Sequence, residues 1–392
     1  MADTTATAPE VRRPWAAAVL SYGFRPFFLC AALWAVLSLA LWVAVLEGFV
    51  GVPSAFDALT WHAHEMVFGF VGAAIGGFLL TAVPNWTGRS PLRGLPLLGL
   101  VGLWLAGRVA VGGSAAIGAW PAAVIDLSFP AALLAVVVRE ILASGNWRNL
   151  PMTIALGAFL IANALMHAEA MGLAMTAAMG WRLSFAVVIM LIVLIGGRIV
   201  PNFTRNWLVN QQARRLPAAF DGIDRATLLT TLVAVAAWAV APEALTTAIL
   251  AALAAVLNLV RLARWQGHMT LGEPLVAVLH LGYVWLPIGF ALVAAGTFSP
   301  AIPAITAIHA FAAGAFATMI LAVMTRATLG HTGRGLHASP GTTALYGAIT
   351  LAAILRVAAS LFVDVYQPLL MAAGAAWLAA FIGYVVIYGP ML

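Results

Sequence analysis

Six of the eight histidines, His62, His64, His167, His280, His309 and His331, fall inside or at the edge of long apolar runs. An ionisable side chain in hydrocarbon costs roughly 3 kcal/mol or more, so polar residues kept there usually carry function. Neutral imidazole is the commonest metal ligand, and it titrates near neutrality. The set therefore predicts either metal or haem ligation or a proton pathway. Three carboxylates, Glu65, Asp126 and Glu169, belong to the same half of the chain's spans and are candidate proton carriers.

The sharpest cluster is Trp61-His62-Ala63-His64-Glu65-Met66. At about 100° per residue, His62 and His64 point to nearly opposite helix faces. They can serve two centres, or one centre if the helix starts irregularly. Glu65 is placed to orient a ligand or relay a proton; the alternative is an interfacial Trp-His pair bonded to headgroups. His167, in Met166-His167-Ala168-Glu169, reads as a ligand or as an interface residue. His309 lies deeper among apolar neighbours, where a ligand reading is preferred to a satisfied core histidine. A second set combines His280 and His331 with Arg198 and Arg326 at similar depth. Guanidinium forks suit carboxylates such as haem propionates, although the same arginines serve equally as membrane anchors. His268 and His337 fall in loops and read as solvated. Gly72, Gly76, Gly77 and Gly314 permit close helix approach, the preferred reading, or leave room for a flat macrocycle.

What must position these residues is a membrane bundle. The chain has 392 residues, 64% hydrophobic and 8% charged, with a mean hydropathy of +1.02. A soluble domain is about 25% charged, so a water-soluble fold is excluded. The net charge of +6 comes from 19 arginines with no lysine. They are scattered over short loops, which argues against a nucleic-acid partner. The single cysteine, Cys30, excludes an intrachain disulfide and a thiolate cluster. Met1 to Pro14 is polar and shows no cleavable signal peptide.

With about 20 apolar residues needed per span, the pattern predicts an all-α integral membrane protein of twelve helices. They run near 27–46, 60–83, 95–112, 119–141, 151–171, 179–200, 226–241, 243–262, 274–296, 301–325, 342–363 and 367–389. A cytoplasmic N-terminus puts sixteen of the nineteen arginines on the cytoplasmic side, in loops or at span ends; the other three, Arg108, Arg182 and Arg356, fall within spans. The positive-inside rule then predicts both termini on the cytoplasmic side of the lipid bilayer. Internal similarity adds a constraint. Val83-Pro84-Asn85-Trp86-Thr87 echoes Val200-Pro201-Asn202-Phe203-Thr204, and Thr328-Leu329-Gly330-His331-Thr332 is a looser echo. His64 and His309 are 245 positions apart, as are Gly69 and Gly314. One polytopic domain, 1–392, is expected, with four-helix pseudo-repeats near 21–148, 149–265 and 266–392. Three groups of four helices is also the layout of haem–copper oxidase catalytic subunits, an analogy of architecture that establishes no function.

Several motifs together resemble the NnrS family of bacterial membrane proteins. They are Ser21-Tyr22-Gly23-Phe24-Arg25-Pro26-Phe27-Phe28, Trp61-His62-Ala63-His64-Glu65-Met66, Phe78 to Arg89, Gly197 to Thr204, His280-Leu281-Gly282-Tyr283 and Met324 to Arg334. The resemblance implies a twelve-helix inner-membrane protein with haem, expected to be haem b, and copper, linked to nitric oxide metabolism, denitrification and nitrosative stress. It implies no ligand assignment. On the residues above, the expected function is binding of nitric oxide and its reduction to nitrous oxide, an oxidoreductase activity. His62, His64, His167 and His309 form the first choice of metal ligands, and His280 and His331 the second. Glu65, Glu169 and Asp126 carry protons, and an external quinol or cytochrome supplies electrons. Non-catalytic scavenging or sensing of nitric oxide, and proton-coupled transport through a His/Glu relay, remain the alternatives.

Overall fold

The computed structural model describes residues 18–392. Met1 to Pro14, including Arg12 and Arg13, and the signal-peptide expectation placed on them lie outside the described residues. Among the described residues, twelve helices are long and apolar enough to cross a membrane. They are α1 Phe24–Leu46, α2 Ala58–Thr87, α3 Leu95–Gly112, α4 Ala119–Ser144, α5 Trp147–Ala170 and α6 Ala177–Asn210. They continue with α7 Gly222–Val240, α8 Leu245–Ala263, α9 Pro274–Phe298, α10 Ala304–His331, α11 Pro340–Leu361 and α12 Val363–Met391. The all-α, twelve-span expectation therefore stands.

The boundaries differ most in α2, α6 and α10, which run to 30, 34 and 28 residues. Pro84 and Pro201, expected at helix ends, lie inside α2 and α6. The extension of α6 beyond residue 200 carries exposed Asn202, Arg205, Asn206 and Asn210, so polarity ended the apolar run without ending the helix. α2 stops at Gly88, whose φ of 69° is a left-handed position glycine takes without strain.

Consecutive helices pack on one another and α12 closes onto α1. Leucine, valine and isoleucine side chains cover the outward faces. α2, α6 and α10 meet inside around an apolar cavity of about 100 Å³, lined among others by Val71, Ala74, Val188, Gly196, Phe316 and Met319. Lipid tails are as apolar as leucine, so close packing must hold such helices together. Gly77 illustrates it: a Cβ there would fall 2.7 Å from the Phe28 ring. The inner glycines thus serve packing.

Each of the three inner helices contains a π-helical segment: Glu65–Val71 in α2, Ile192–Gly196 in α6 and Ala310–Phe316 in α10. His64 immediately precedes the first and His309 the third. A π turn inserts a residue, shifts every later side chain around the axis and recurs at functional sites.

Candidate metal centre

Neighbouring helices alternate in direction, so the start of α2, the end of α3, the start of α4 and the end of α5 share one end of the bundle. Four polar clusters from these ends meet there. His64 and Glu65 come from α2, Arg108 from α3, Asp126 from α4, and Asn163 with His167 from α5. All six are at most 4% exposed. Asn163 and His167 are four residues apart, which puts them on one helix face.

Asp126 is the hub. Its Oδ2 lies 3.0 Å from His167 Nε2 and 3.2 Å from His64 Nε2, and it accepts from Asn163 Nδ2 at 2.8 Å. Its Oδ1 accepts from Arg108 Nη2. Arg108 Nη1 donates to Glu65 Oε1 at 2.8 Å, and the same oxygen lies 3.1 Å from His64 Nδ1. His64 Nε2 is also 2.8 Å from Asn163 Oδ1. Two carboxylates face one guanidinium, so the ionised cluster calls for one further positive charge, which a protonated imidazole or a bound cation would supply. Glu65 Oε2 and Arg108 Nε are buried without a hydrogen-bond partner.

The rings around the cluster are apolar. Phe56, just before α2, lies 5.1 Å from His64 and 5.2 Å from His167. Phe68 lies 5.0 Å from His64 and is backed by Phe159 at 4.8 Å. This apolar shell excludes water and lowers the local dielectric, which strengthens every charge interaction within it.

One ligand atom from each of His64, Asp126 and His167 lies within 4.8 Å of the others. Ligand atoms about 2.1 Å from a tetrahedral ion stand roughly 3.4 Å apart, so these side chains need little movement to hold one. Two imidazoles and a carboxylate, with the Asn163 oxygen adjacent, suit a divalent transition metal, copper included. Haem finds less support. The larger cavity, about 560 Å³, lies at the opposite end beside Arg89, Arg93 and Glu140, and neither it nor the 100 Å³ cavity has a histidine in its lining.

The other expected site residues lie elsewhere. Glu169 accepts from the backbone N–H of Ala177 at 2.7 Å and so caps α6. His62 turns away from His64, as the i, i+2 spacing requires, and stacks on Trp42 at 4.4 Å. His309 donates from Nδ1 to the Ile305 carbonyl at 2.9 Å. At the opposite end, His280 Nε2 lies 2.7 Å from the Thr204 hydroxyl. His331 is exposed and stacks on Tyr22 at 5.7 Å. Arg198 is exposed, while the Arg326 guanidinium lies 3.9 Å from the Phe203 ring centre. Of the two loop histidines, His337 pairs with Glu273 at 2.9 Å.

Sequence reasoning missed Arg108 as a partner of both carboxylates, and Asn163 altogether. A guanidinium in mid-span, and an amide one turn from a histidine, were the available signals. Arg261, one of the arginines that the positive-inside reading puts on the cytoplasmic side, is not at the surface. That side chain is 1% exposed; it pairs with Asp224 at 2.7 Å and donates to the Val193 carbonyl in the π segment of α6 at 2.8 Å.

The fold and site define a polytopic membrane protein with a buried histidine–carboxylate centre at one end of its bundle. The chain belongs to the NnrS family, whose profile, described as NnrS protein, matches residues 18–392. Membership makes it a nitric-oxide-related membrane protein. No curated protein matches the chain.

Proposed function

We propose that this protein binds nitric oxide within the membrane at a metal held by His64, Asp126 and His167, and reduces it to nitrous oxide. The observation that carries the reading is the convergence of three ligating side chains from three helices in a buried site where two carboxylates face one guanidinium. Copper bound there would supply affinity for nitric oxide and one-electron redox chemistry. Haem b is proposed as a second cofactor on the family relationship, with His62, His309, His280 and His331 as its candidate ligands, and no step is derived through it.

The chain's own residues have defined parts in this reading. Glu65 bonds His64 Nδ1 and so directs Nε2 toward Asp126. Arg108 holds both carboxylates in place. Phe56 and Phe68 keep water from the reacting atoms. Nitric oxide is small and apolar, so it dissolves in lipid, and the cavity between α2, α6 and α10 offers it an apolar foothold. Two molecules of nitric oxide, two protons and two electrons give one nitrous oxide and one water. Asp126 and Glu65 are the proton donors within reach; a quinol or cytochrome is the proposed electron source, and the bacterial inner membrane the proposed location.

Metal analysis with absorption and spin-resonance spectra of purified protein, before and after reduction and nitric oxide, tests the reading. Stoichiometric copper lost in His64→Ala and His167→Ala, with nitrous oxide formed under a reductant, is the expected result. Metal retained in both variants would overturn the ligand assignment. Binding without turnover would leave the scavenger reading. One observation favours a second reading, proton-coupled transport: the cluster's polar groups already bond one another at 2.8–3.2 Å, as a proton store requires. Metal-free protein that carries protons across vesicles would establish it.

A further inference from the structure

At the same end of the bundle, but on the other side of α2, three buried polar atoms have nothing to bond: His62 Nδ1, Thr306 Oγ1 and Arg356 Nη1. They come from α2, α10 and α11. Thr306 stands three residues before His309, on the same helix face. The turn Ala304–His309 packs on the helix that carries Arg356, and Arg356 acts electrostatically on both His62 and His309, as His62 does on His309. Among the described residues no carboxylate acts on Arg356; the titratable group that does is the Tyr366 phenol. A buried guanidinium nitrogen without an acceptor is costly, so native structures normally provide one.

The register shows what is missing. His309 follows His64 by 245 positions and Arg356 follows Arg108 by 248. Arg108 is matched by Glu65, the residue after His64, and by Asp126. The residue after His309 is Ala310, and the positions 245 and 248 beyond Asp126 are Met371 and Gly374. The first arginine has counter-ions from its own chain. The second has a histidine at the matching offset, but alanine, methionine and glycine where the acids would stand.

We propose that Arg356, together with His62 and Thr306, forms a receptor for an oxyanion that completes this site. The guanidinium fork matches two oxygens of one anion. His62 in its Nδ1–H tautomer and the Thr306 hydroxyl add two donors. His309 spends its Nδ1 hydrogen on Ile305, so its other nitrogen donates nothing and sets the edge of the site. Arg356 lies five residues before the end of α11, roughly 7–8 Å of rise, and is partly exposed. Both a small carboxylate from solution and a lipid phosphate can reach it. The inference uses none of His64, Asp126 and His167 and stands apart from the copper reading; it assigns His62 and His309 to an anion site in place of haem.

The test uses chelator-treated full-length protein in nanodiscs, so that failure of the metal site leaves the readout intact. The unfolding midpoint is measured in pure phosphatidylcholine, with formate added, and with phosphatidylglycerol in the disc. One of the two anions is expected to raise the midpoint of the parent protein. Formate identifies a free carboxylate as the ligand class, and phosphatidylglycerol alone identifies a headgroup phosphate. Arg356→Met is expected to lose the response, and Arg356→Lys, which keeps the charge without the fork, to keep a weaker one. Arg356→Met removes a buried charge and leaves no acid unpaired, so folding is preserved. No response to either anion in the parent protein, or an equal response in Arg356→Met, would overturn the proposal.

Discussion

His64 Nε2 and Asp126 Oδ2 stand 3.2 Å apart, and the same carboxylate oxygen is 3.0 Å from His167 Nε2. One oxygen thus faces two imidazoles from two helices. As an ion pair this would be a crowded arrangement; around a cation it is an economical one. Asp126→Asn removes the negative charge and one ligand while preserving shape. Metal occupancy in chelator competition is expected to fall further in Asp126→Asn than in Glu65→Gln. The latter loses only the group that orients His64, worth roughly 10–100-fold in affinity. The reverse order would make Glu65 the ligand.

Arg108 is the only guanidinium bonded to Glu65 and Asp126 among the described residues. Removing one partner of a buried ion pair typically costs 3–5 kcal/mol, because a charge is left uncompensated. Arg108→Met is expected to destabilise by about that amount, read from unfolding in mixed detergent. The triple change Arg108→Met, Glu65→Gln, Asp126→Asn is expected to recover much of the loss. A triple variant no better than the single one would show that packing, and not charge, holds the site.

The fold was legible because a bilayer imposes a length of apolar sequence on each span, and all twelve runs met it. Helix ends were less legible, since α6 continues through polar residues that no hydropathy pattern assigns to a helix. Within the site, His64, His167, Asp126 and Glu65 were named from type and depth alone. Glu169 was named on the same grounds yet caps a helix, because depth does not fix rotation about the helix axis. Arg108 and Asn163 were hidden for the same reason: their value lies in which residues they face, and the π segments alter that rotation in a way spacing does not reveal.

Gly69 and Gly314 lie within the π segments of α2 and α10, and each receives an indole, Trp34 and Trp285 respectively, where a Cβ would otherwise stand. Both rings are large and held in the bundle, so neither can yield cheaply. Gly69→Ala is expected to cost about 1–3 kcal/mol by overpacking. Gly99, exposed on α3 with open space at its Cβ, is the control: alanine there is expected to be neutral or stabilising by up to about 1 kcal/mol. Equal effects at both positions would count against the packing account.

The apolar cavity between α2, α6 and α10 is expected to matter for gas entry and not for metal loading. Ala74 is among its lining residues and is buried. Ala74→Phe fills it without touching the histidine cluster. Stopped-flow mixing with nitric oxide is expected to show slower association at unchanged metal content. An unchanged association rate would remove the cavity from the route.

Asp57 fixes the start of α2, and with it the position of His62 and His64. Its carboxylate accepts from the N–H groups of Leu59 and Thr60, both at 3.0 Å. Burial raises its pKa, but hydrogen bonds from the Thr60 side chain and the two N–H groups outweigh that and leave it lowered. A lowered carboxylate favours the folded state when charged. Its contribution is therefore fully present above the unfolded value of about 3.9 and is lost as pH falls through the folded value. Asp57→Ala is expected to cost about 1 kcal/mol near neutral pH, with the two stability curves converging in acid. Parallel curves would show that the charged cap is not what anchors the helix. Because Phe56 precedes Asp57 and covers His64 and His167, the same variant is expected to release metal faster at neutral pH than the parent protein and at the same rate once the parent's Asp57 is protonated.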